Sequence, residues 1–301
     1  MTYREACEKG ERALAEAGIE EAALDARLLL EHVCGTSRSD LLAHGDREVT
    51  PEEQSLYERL TAGRRERIPL QLLTGRQAFM GLEFTVNEHV LIPRQDTEIL
   101  VEEVLKNLHD GMRILDMCTG SGCILISLLH YSNDCTGVGA DISAEALRVA
   151  EENRRRLLGM PGDVSQPEVL ANARLSDMEA PGCVFVQSDL FENIEGSFDI
   201  IVSNPPYIAS GVIGTLMPEV RDHEPRQALD GGEDGLFFYR RIVGEAAGYL
   251  PGGGMLFLEI GYDQAEAVCG LMEEAGFLEV KAVKDYAGLD RVVYGTKGFA
   301  L

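Results

Sequence analysis

The chain has 301 residues, enough for one large or two smaller domains, and 45% of them are hydrophobic, ample for a core. Its 51 Asp and Glu against 27 Lys and Arg give a formal net charge of −24, which argues against gripping a nucleic-acid backbone, since that needs a positive face to release counterions. No apolar stretch reaches the roughly 18 residues of a membrane span, the start Met1-Thr2-Tyr3-Arg4-Glu5-Ala6 is charged where a signal peptide would be apolar, and seven scattered cysteines form no CxxC pair; a cytoplasmic chain with reduced thiols, no membrane contact and no metal is expected.

Residues 1–75 read as a small helical domain. An Ala- and Glu-rich helix over 3–17 stops at Gly18. A second, over 21–34, carries an apolar stripe through Leu24, Leu28 and Val33 and stops at Gly35. Thr50-Pro51-Glu52-Glu53 has the form of a capping box: Thr50 caps, Pro51 suits the first helical position, and Glu53 reaches back. That helix is expected to run to about Arg65. Two basic clusters, Arg64-Arg65-Glu66-Arg67 and Arg154-Arg155-Arg156, read as solvated helix ends rather than phosphate clamps. Residues 76–92 alternate, with Phe79, Leu82, Phe84 and Val86 apolar, and read as a β-hairpin linker. From 93 to 301 strands alternate with helices. Strands near 113–117, 136–142, 184–189, 199–204 and 255–260 indicate a parallel sheet covered on both faces. Runs at 278–284 and 291–297 can pair as a closing antiparallel edge, giving seven strands with a reversed final pair. Residues 157–181 are weakly patterned and contain Pro and Gly; they read as an inserted, mobile surface segment.

The chemistry-bearing residues gather at strand ends. The strand 113–117 contains Asp116 and runs into Cys118-Thr119-Gly120-Ser121-Gly122, then a helix. Strand, Gly-rich turn and helix open a nucleotide-binding βαβ unit. The turn is not GxGxxG and lacks the P-loop Lys, so a triphosphate is not the expected ligand. The next strand ends in Asp141, 25 residues after Asp116, near the roughly 20-residue offset at which an acid meets a ribose diol. A third strand ends in Ser188 and Asp189. A fourth stops at Asn204-Pro205-Pro206-Tyr207, where two prolines cannot donate to a sheet. An amide before them and a ring after them suit a planar group carrying an NH2, as on adenine, cytosine or the glutamine side chain.

Four segments, Asp116-Met117-Cys118-Thr119-Gly120-Ser121-Gly122, Gly139-Ala140-Asp141-Ile142-Ser143, Gln187-Ser188-Asp189-Leu190-Phe191 and Asn204-Pro205-Pro206-Tyr207, resemble those of S-adenosylmethionine-dependent methyltransferases. More closely, the chain resembles the HemK/PrmC family, which methylates the side-chain nitrogen of a glutamine in peptide chain release factors. Phe79–Phe84, the blocks 92–98 and 224–229 with Gly231-Gly232, and 258–261 look like further blocks of that family, so the resemblance covers most of the chain from about Pro69 onward. The N-terminal helices match only in general character.

The resemblance implies an α/β fold: a doubly wound seven-stranded methyltransferase sheet with a small N-terminal helical domain that docks the substrate. It implies that Cys118, Thr119, Gly120, Ser121 and Gly122 wrap the methionine part of S-adenosylmethionine. Asp141 would take the ribose hydroxyls, Ile142 beside it would belong to the cofactor site, and Asp189 and Leu190 would border the adenine. Asp116 would order the loop or meet the methionine ammonium. Cys118 stands where many methyltransferases have Gly, and is read as a small packing residue. Asn204, Pro205, Pro206 and Tyr207 would form the catalytic turn, with Asn204 also bordering the cofactor. The expected partner is a class-1 release factor, methylated on the glutamine of its Gly-Gly-Gln loop by a monomer that holds no stable nucleic acid. Two alternatives stand: an adenine-N6 DNA or RNA methyltransferase, which uses a related Asn-Pro-Pro-aromatic motif, and a non-enzymatic cofactor-binding regulator. The acidity opposes the first and the intact turn opposes the second.

Overall fold

The computed structural model describes residues 1–159 and 182–299. The segment expected to be a mobile insertion lies outside the described residues from 160 onward. The chain divides into two units, Met1–Arg76 with Met217–His223, and Gln77–Leu216 with Glu224–Leu301.

The first unit is helical because its helices carry their own start signals. Thr2 with Glu5, Ser37 with Asp40 and Thr50 with Glu53 all form reciprocal capping boxes. At the last of these, Glu53 N–H donates to Thr50 Oγ1 at 3.2 Å and Thr50 N–H to Glu53 Oε2 at 2.8 Å, which satisfies two donors that a helix start otherwise leaves open. Helices Tyr3–Glu16, Ala22–Cys34 and Pro51–Arg65 close over Tyr3, Ala6, Leu29, Leu30, Val49 and Tyr57. The buried face of the second helix differs from the expected stripe. Ala22, Ala26, Leu29 and Leu30 face inward, and Leu24 is exposed. Small alanines let neighbouring helices approach, so they hold the interior while a leucine is left outside.

The basic cluster at the end of the third long helix is also not a solvated end. Arg64 is buried. Its Nε donates to Asp25 Oδ2 at 2.7 Å and its Nη1 to Glu219 Oε1 at 3.0 Å. Arg67 Nη1 reaches the same Glu219 oxygen at 3.1 Å. A guanidinium can be buried when carboxylates meet it on more than one edge. Glu219 sits in the short helix Pro218–Arg221, so Met217–His223 completes the first unit from far along the chain.

Strand β1 (Arg76–Phe79), which begins at the last residue of the first unit's main stretch, and strand β2 (Leu82–Thr85) form a hairpin where the second unit opens. Seven further strands form one sheet: β3 (Arg113–Met117), β4 (Thr136–Asp141), β5 (Gly182–Gln187), β6 (Ile200–Ser203), β7 (Met255–Glu259), β8 (Phe277–Lys284) and β9 (Asp290–Lys297), in the order β5-β4-β3-β6-β7-β9-β8. Strands β3, β4, β5, β6 and β7 all run parallel. Strand β9 is antiparallel to both β7 and β8. Only β9 therefore runs against the sheet, and the edge strand β8 keeps the common direction; the final pair is not reversed as a whole. Helices such as Asp96–Leu105, Cys123–His130, Phe237–Ala246 and Ala265–Glu274 cover the sheet. Central strands β3, β6 and β7 are buried almost throughout, as a parallel sheet with two covered faces requires. The strand order turns back between β3 and β6. That is the switch point at which open α/β sheets leave a crevice beyond their carboxyl ends.

Candidate active site

Register brings the two main motifs together. Met117 of β3 pairs with Ser203 of β6, so Cys118 and Asn204 are the next residues on neighbouring strands. Ser203 Oγ donates to the Met117 carbonyl at 2.6 Å and ties the strand ends across the switch point. Met117 also pairs with Ala140, and Asp141 with Gln187, which aligns the segments of Asp141 and Asp189 along the same edge.

The turn after β3 is held by two carboxylates. Asp116 is fully buried. Its Oδ2 accepts from the Thr119 hydroxyl at 2.6 Å and from Leu125 N–H at 3.3 Å. Its Oδ1 has no hydrogen-bond partner among the described residues. Burial pushes this carboxyl up to about 7, and the nearby Asp141 adds to the rise. Asp141 Oδ2 accepts from Gly120 N–H and its Oδ1 from Ser143 N–H, each at 2.9 Å; burial raises it too. Within the turn Cys118 adopts φ +61° and Gly122 φ +78°. At Gly122 a Cβ would also meet Ile126 Cδ1 at 2.9 Å, so only glycine fits there. Cys118 tolerates the left-handed backbone at some cost. Burial pushes its thiol up, away from a reactive thiolate.

The turn after β6 is held differently. Asn204 Nδ2 donates to Thr97 Oγ1 at 3.3 Å. Pro205 and Pro206 are buried. The Tyr207 hydroxyl donates to Glu259 Oε1 at 3.3 Å, and its carbonyl accepts from Gln264 Nε2 at 3.0 Å. Gly231 packs against this turn so closely that a Cβ would stand 2.7 Å from Tyr207 Cα. Close backbone approach thus explains Gly231, and the φ of +87° explains Gly232.

Between the two turns lies a cavity of about 210 Å³. Cys118, Thr119, Gly120, Ser121, Asp141, Ile142, Asp189, Leu190, Asn204 and Pro206 all line it. Asp116, Gly122, Pro205 and Tyr207 are not part of the lining. Asp189 is not a free acid, because Arg241 Nη1 donates to its Oδ1 at 2.8 Å. The wall also includes His89, Arg94, Thr97, Gln227 and Phe238, none of which was singled out from the sequence. Arg94 and Thr97 belong to the block 92–98 and Gln227 to the block 224–229, so those quoted blocks were the available signal. Arg94 is ion-paired with Glu224, whose own carboxyl burial pushes upward. Among the described residues no group of three or more His, Cys, Asp or Glu could hold a metal ion, and no helix is long and apolar enough to cross a membrane.

The cavity suits S-adenosylmethionine in three respects. A Cβ at Gly120 would meet nothing within 4 Å, so the loop leaves open space beside a backbone that can approach a ligand. Ile142 is half exposed on the wall, an apolar face for a flat ring. Buried carboxylates with raised pKa values gain from a cation nearby.

Comparison with known proteins agrees with this geometry. Residues 5–75 match a family model described as the PrmC N-terminal domain. Release factor glutamine methyltransferase of Geobacter sulfurreducens is 41% identical over 95% of this chain and 93% of its own length. The protein of the same name from Caulobacter vibrioides is 41% identical over 94% of this chain and 92% of its own. A methyltransferase structure from Pyrococcus furiosus superposes with TM-score 0.51 at 19% identity, over 79% of this chain and all of that one, a likeness of fold.

Proposed function

The chain belongs to the release factor glutamine methyltransferase family, and from that premise we propose that it moves a methyl group from S-adenosylmethionine to the side-chain amide nitrogen of the glutamine in the Gly-Gly-Gln loop of class-1 release factors. The observation that carries this reading is the register of Met117 with Ser203, which sets the glycine turn and the Asn-Pro-Pro-Tyr turn on either side of one cavity.

An amide nitrogen is a poor nucleophile because its lone pair is delocalised. When bound, the cofactor supplies a methyl group already on a good leaving group, so orientation is the main task left to the protein. Asn204 spends its NH2 on Thr97, which leaves Oδ1 as an acceptor for a substrate N–H. The carbonyl of Pro205 is fixed by the two rings and can accept the second. Prolines bring no competing N–H to the turn. Tyr207 fixes where the turn ends. On the other side Asp141 keeps lone pairs for ribose hydroxyls while its backbone bonds hold the loop. Asp189 and Leu190 border the adenine. Asp116 acts through the loop, since its Oδ2 is spent on Thr119 and Leu125.

The helices of residues 1–75 serve in this reading as a docking surface for the release factor, and the protein works as a cytoplasmic monomer. The test is labelled cofactor incubated with release factor, with a factor whose Gly-Gly-Gln glutamine is substituted, and with duplex DNA. Label only in the first supports the reading. Label in DNA overturns it in favour of adenine methylation.

A further inference from the structure

Beneath the Asn-Pro-Pro-Tyr turn lies a carboxyl that the mechanism above does not use. Glu259 ends β7 and is 1% exposed. Tyr207 donates its hydroxyl proton to Oε1, while Oε2 has no hydrogen-bond partner among the described residues. The Thr97 hydroxyl lies near enough to favour the charged carboxyl, and it is the same hydroxyl that accepts from Asn204 Nδ2.

A threonine hydroxyl has one proton. If that proton is directed at a carboxylate, the oxygen is left to accept. Asn204 must then offer Thr97 its NH2, and its carbonyl oxygen is what remains for the substrate. If the carboxyl is neutral, the hydroxyl can turn its proton toward Asn204, and the amide gains by presenting its NH2 to the cavity instead. A glutamine NH2 needs acceptors, so only the first arrangement is productive.

We propose that Glu259 is a positioning residue for methyl transfer: acting through Thr97 on Asn204, and directly on Tyr207, it fixes which end of the Asn204 amide faces the substrate. This rests on the glutamine-methylating reading above. Glu259 is surrounded by Arg291, Asp96, Tyr207, Tyr239 and the Cys123 thiol. Burial pushes its carboxyl up to about 7, against the opposing pull of Thr97, Arg291 and Tyr207. Arg291 is held between Asp285 and Asp96, which limits how far it can neutralise Glu259. The productive, ionised form is therefore lost as pH falls through about 7.

The experiment compares wild type with Glu259→Gln, Thr97→Val and Thr97→Ser on whole release factor, reading kcat, KM and cofactor Kd separately. Glu259→Gln and Thr97→Val are expected to lose kcat by roughly 10- to 100-fold with cofactor Kd within about threefold of wild type. Thr97→Ser, which keeps the hydroxyl, retains most of kcat. The double variant Glu259→Gln/Thr97→Val is no worse than the poorer single one, since both break one relay. In wild type kcat falls on the acid side of about pH 7, and this limb disappears in Glu259→Gln. Full kcat in either Glu259→Gln or Thr97→Val, multiplicative losses in the double variant, or an unchanged acid limb overturns the proposal. A loss of cofactor binding in step with kcat overturns it too, as a general structural role would give. A wild-type enzyme that leaves the release factor unlabelled refutes the substrate reading instead, and does so before any variant is made.

Discussion

The two turns that flank the cavity are one residue beyond a shared pair in the sheet, yet they are built on opposite plans. The turn at Cys118–Gly122 is held mostly through backbone N–H groups, with Gly120 N–H bound to Asp141 and the following helix bound through Leu125 N–H to Asp116, beside one side-chain bond from the Thr119 hydroxyl to Asp116. What matters there is the path of the chain, so even a cysteine in the left-handed region is accommodated. The turn at Asn204–Tyr207 is held mostly through its side chains, Asn204 on Thr97 and Tyr207 on Glu259, with one backbone bond from Gln264 to the Tyr207 carbonyl. What matters there is which atoms each residue carries. The first plan suits a ligand that is gripped, and the second a group that must be aimed. Changes in the first turn should therefore appear in binding, and changes in the second in turnover.

The largest test of that contrast is Asn204→Ala. It should keep cofactor affinity and lose kcat by roughly 100-fold or more, because misplacement at the reacting centre is costly. Equal losses in affinity and turnover would erase the distinction between the turns. Asn204→Asp sharpens it: the acceptor oxygen survives, so activity should exceed that of Asn204→Ala, whereas equal inactivity would mean that the NH2 bound to Thr97 is the essential part.

Asp141→Ala is the matching change on the gripping side. Cofactor binding should weaken by about 1.5–3 kcal/mol, the cost of losing hydrogen bonds to a charged group, measured by calorimetry on the folded variant. Unchanged affinity would remove Asp141 from the ribose.

A smaller effect follows from charge. Asp116 is pushed up to about 7 by burial and Asp141 is raised by the same cause. A bound cation favours their ionised forms, so the complex holds fewer protons than the free protein. Affinity for S-adenosylmethionine should then rise with pH through about 7. The same carboxyls carry the opposite sign for folding. A raised carboxyl pKa means that the folded chain holds its proton while the unfolded chain has released it. Their contribution to stability is fully present below the unfolded value and is lost as pH rises through the folded one. Calorimetric Kd and thermal unfolding across pH 5.5–8, an interval spanning about 7, would check both slopes.

The smallest change should come from Tyr207→Phe. The ring and its packing remain, and Thr97 still serves Glu259, so a loss of kcat within about tenfold is expected. A variant as inactive as Asn204→Ala would make the hydroxyl, rather than Thr97, the main connection to Glu259.

Much of this was legible in the sequence because the decisive signals are local. Strand ends declare themselves through Asp141, Ser188 and the two prolines, and Thr50 with Glu53 announces a helix start. What stayed hidden depends on distant packing. Glu259 is the last residue of an apolar strand and looks like its polar end, yet the sheet carries it beneath Tyr207. Thr97 is an ordinary residue in the first turn of a helix until β6 brings Asn204 to it. From sequence Asp116 reads as ordering the loop or meeting the methionine ammonium, and Gly122 as a ligand contact because it ends the loop. Strand alternation turns the Asp116 side chain away toward the first turn of the next helix, and Gly122 begins that helix. The stripe of Leu24, Leu28 and Val33 misled because hydrophobicity was weighed without size, and Ala22 and Ala26 are the residues that fit between helices.

The ion cluster at Arg64 has a consequence for how the protein is made. Its partner Glu219 lies 155 positions further along the chain. During synthesis the first helices leave the ribosome long before that carboxylate exists. Until it arrives, Arg64 has only Asp25 for an acidic partner within the unit, and Arg67 lacks its carboxylate. A buried cation that is incompletely paired is destabilising, and closing so long a loop carries its own entropy cost. The helices of residues 1–76, made well before Met217–His223, therefore reach their final stability only once that segment has joined them. Pulse proteolysis of nascent chains stalled before and after residue 223 would reveal this as a delayed gain of resistance in the helices of residues 1–76.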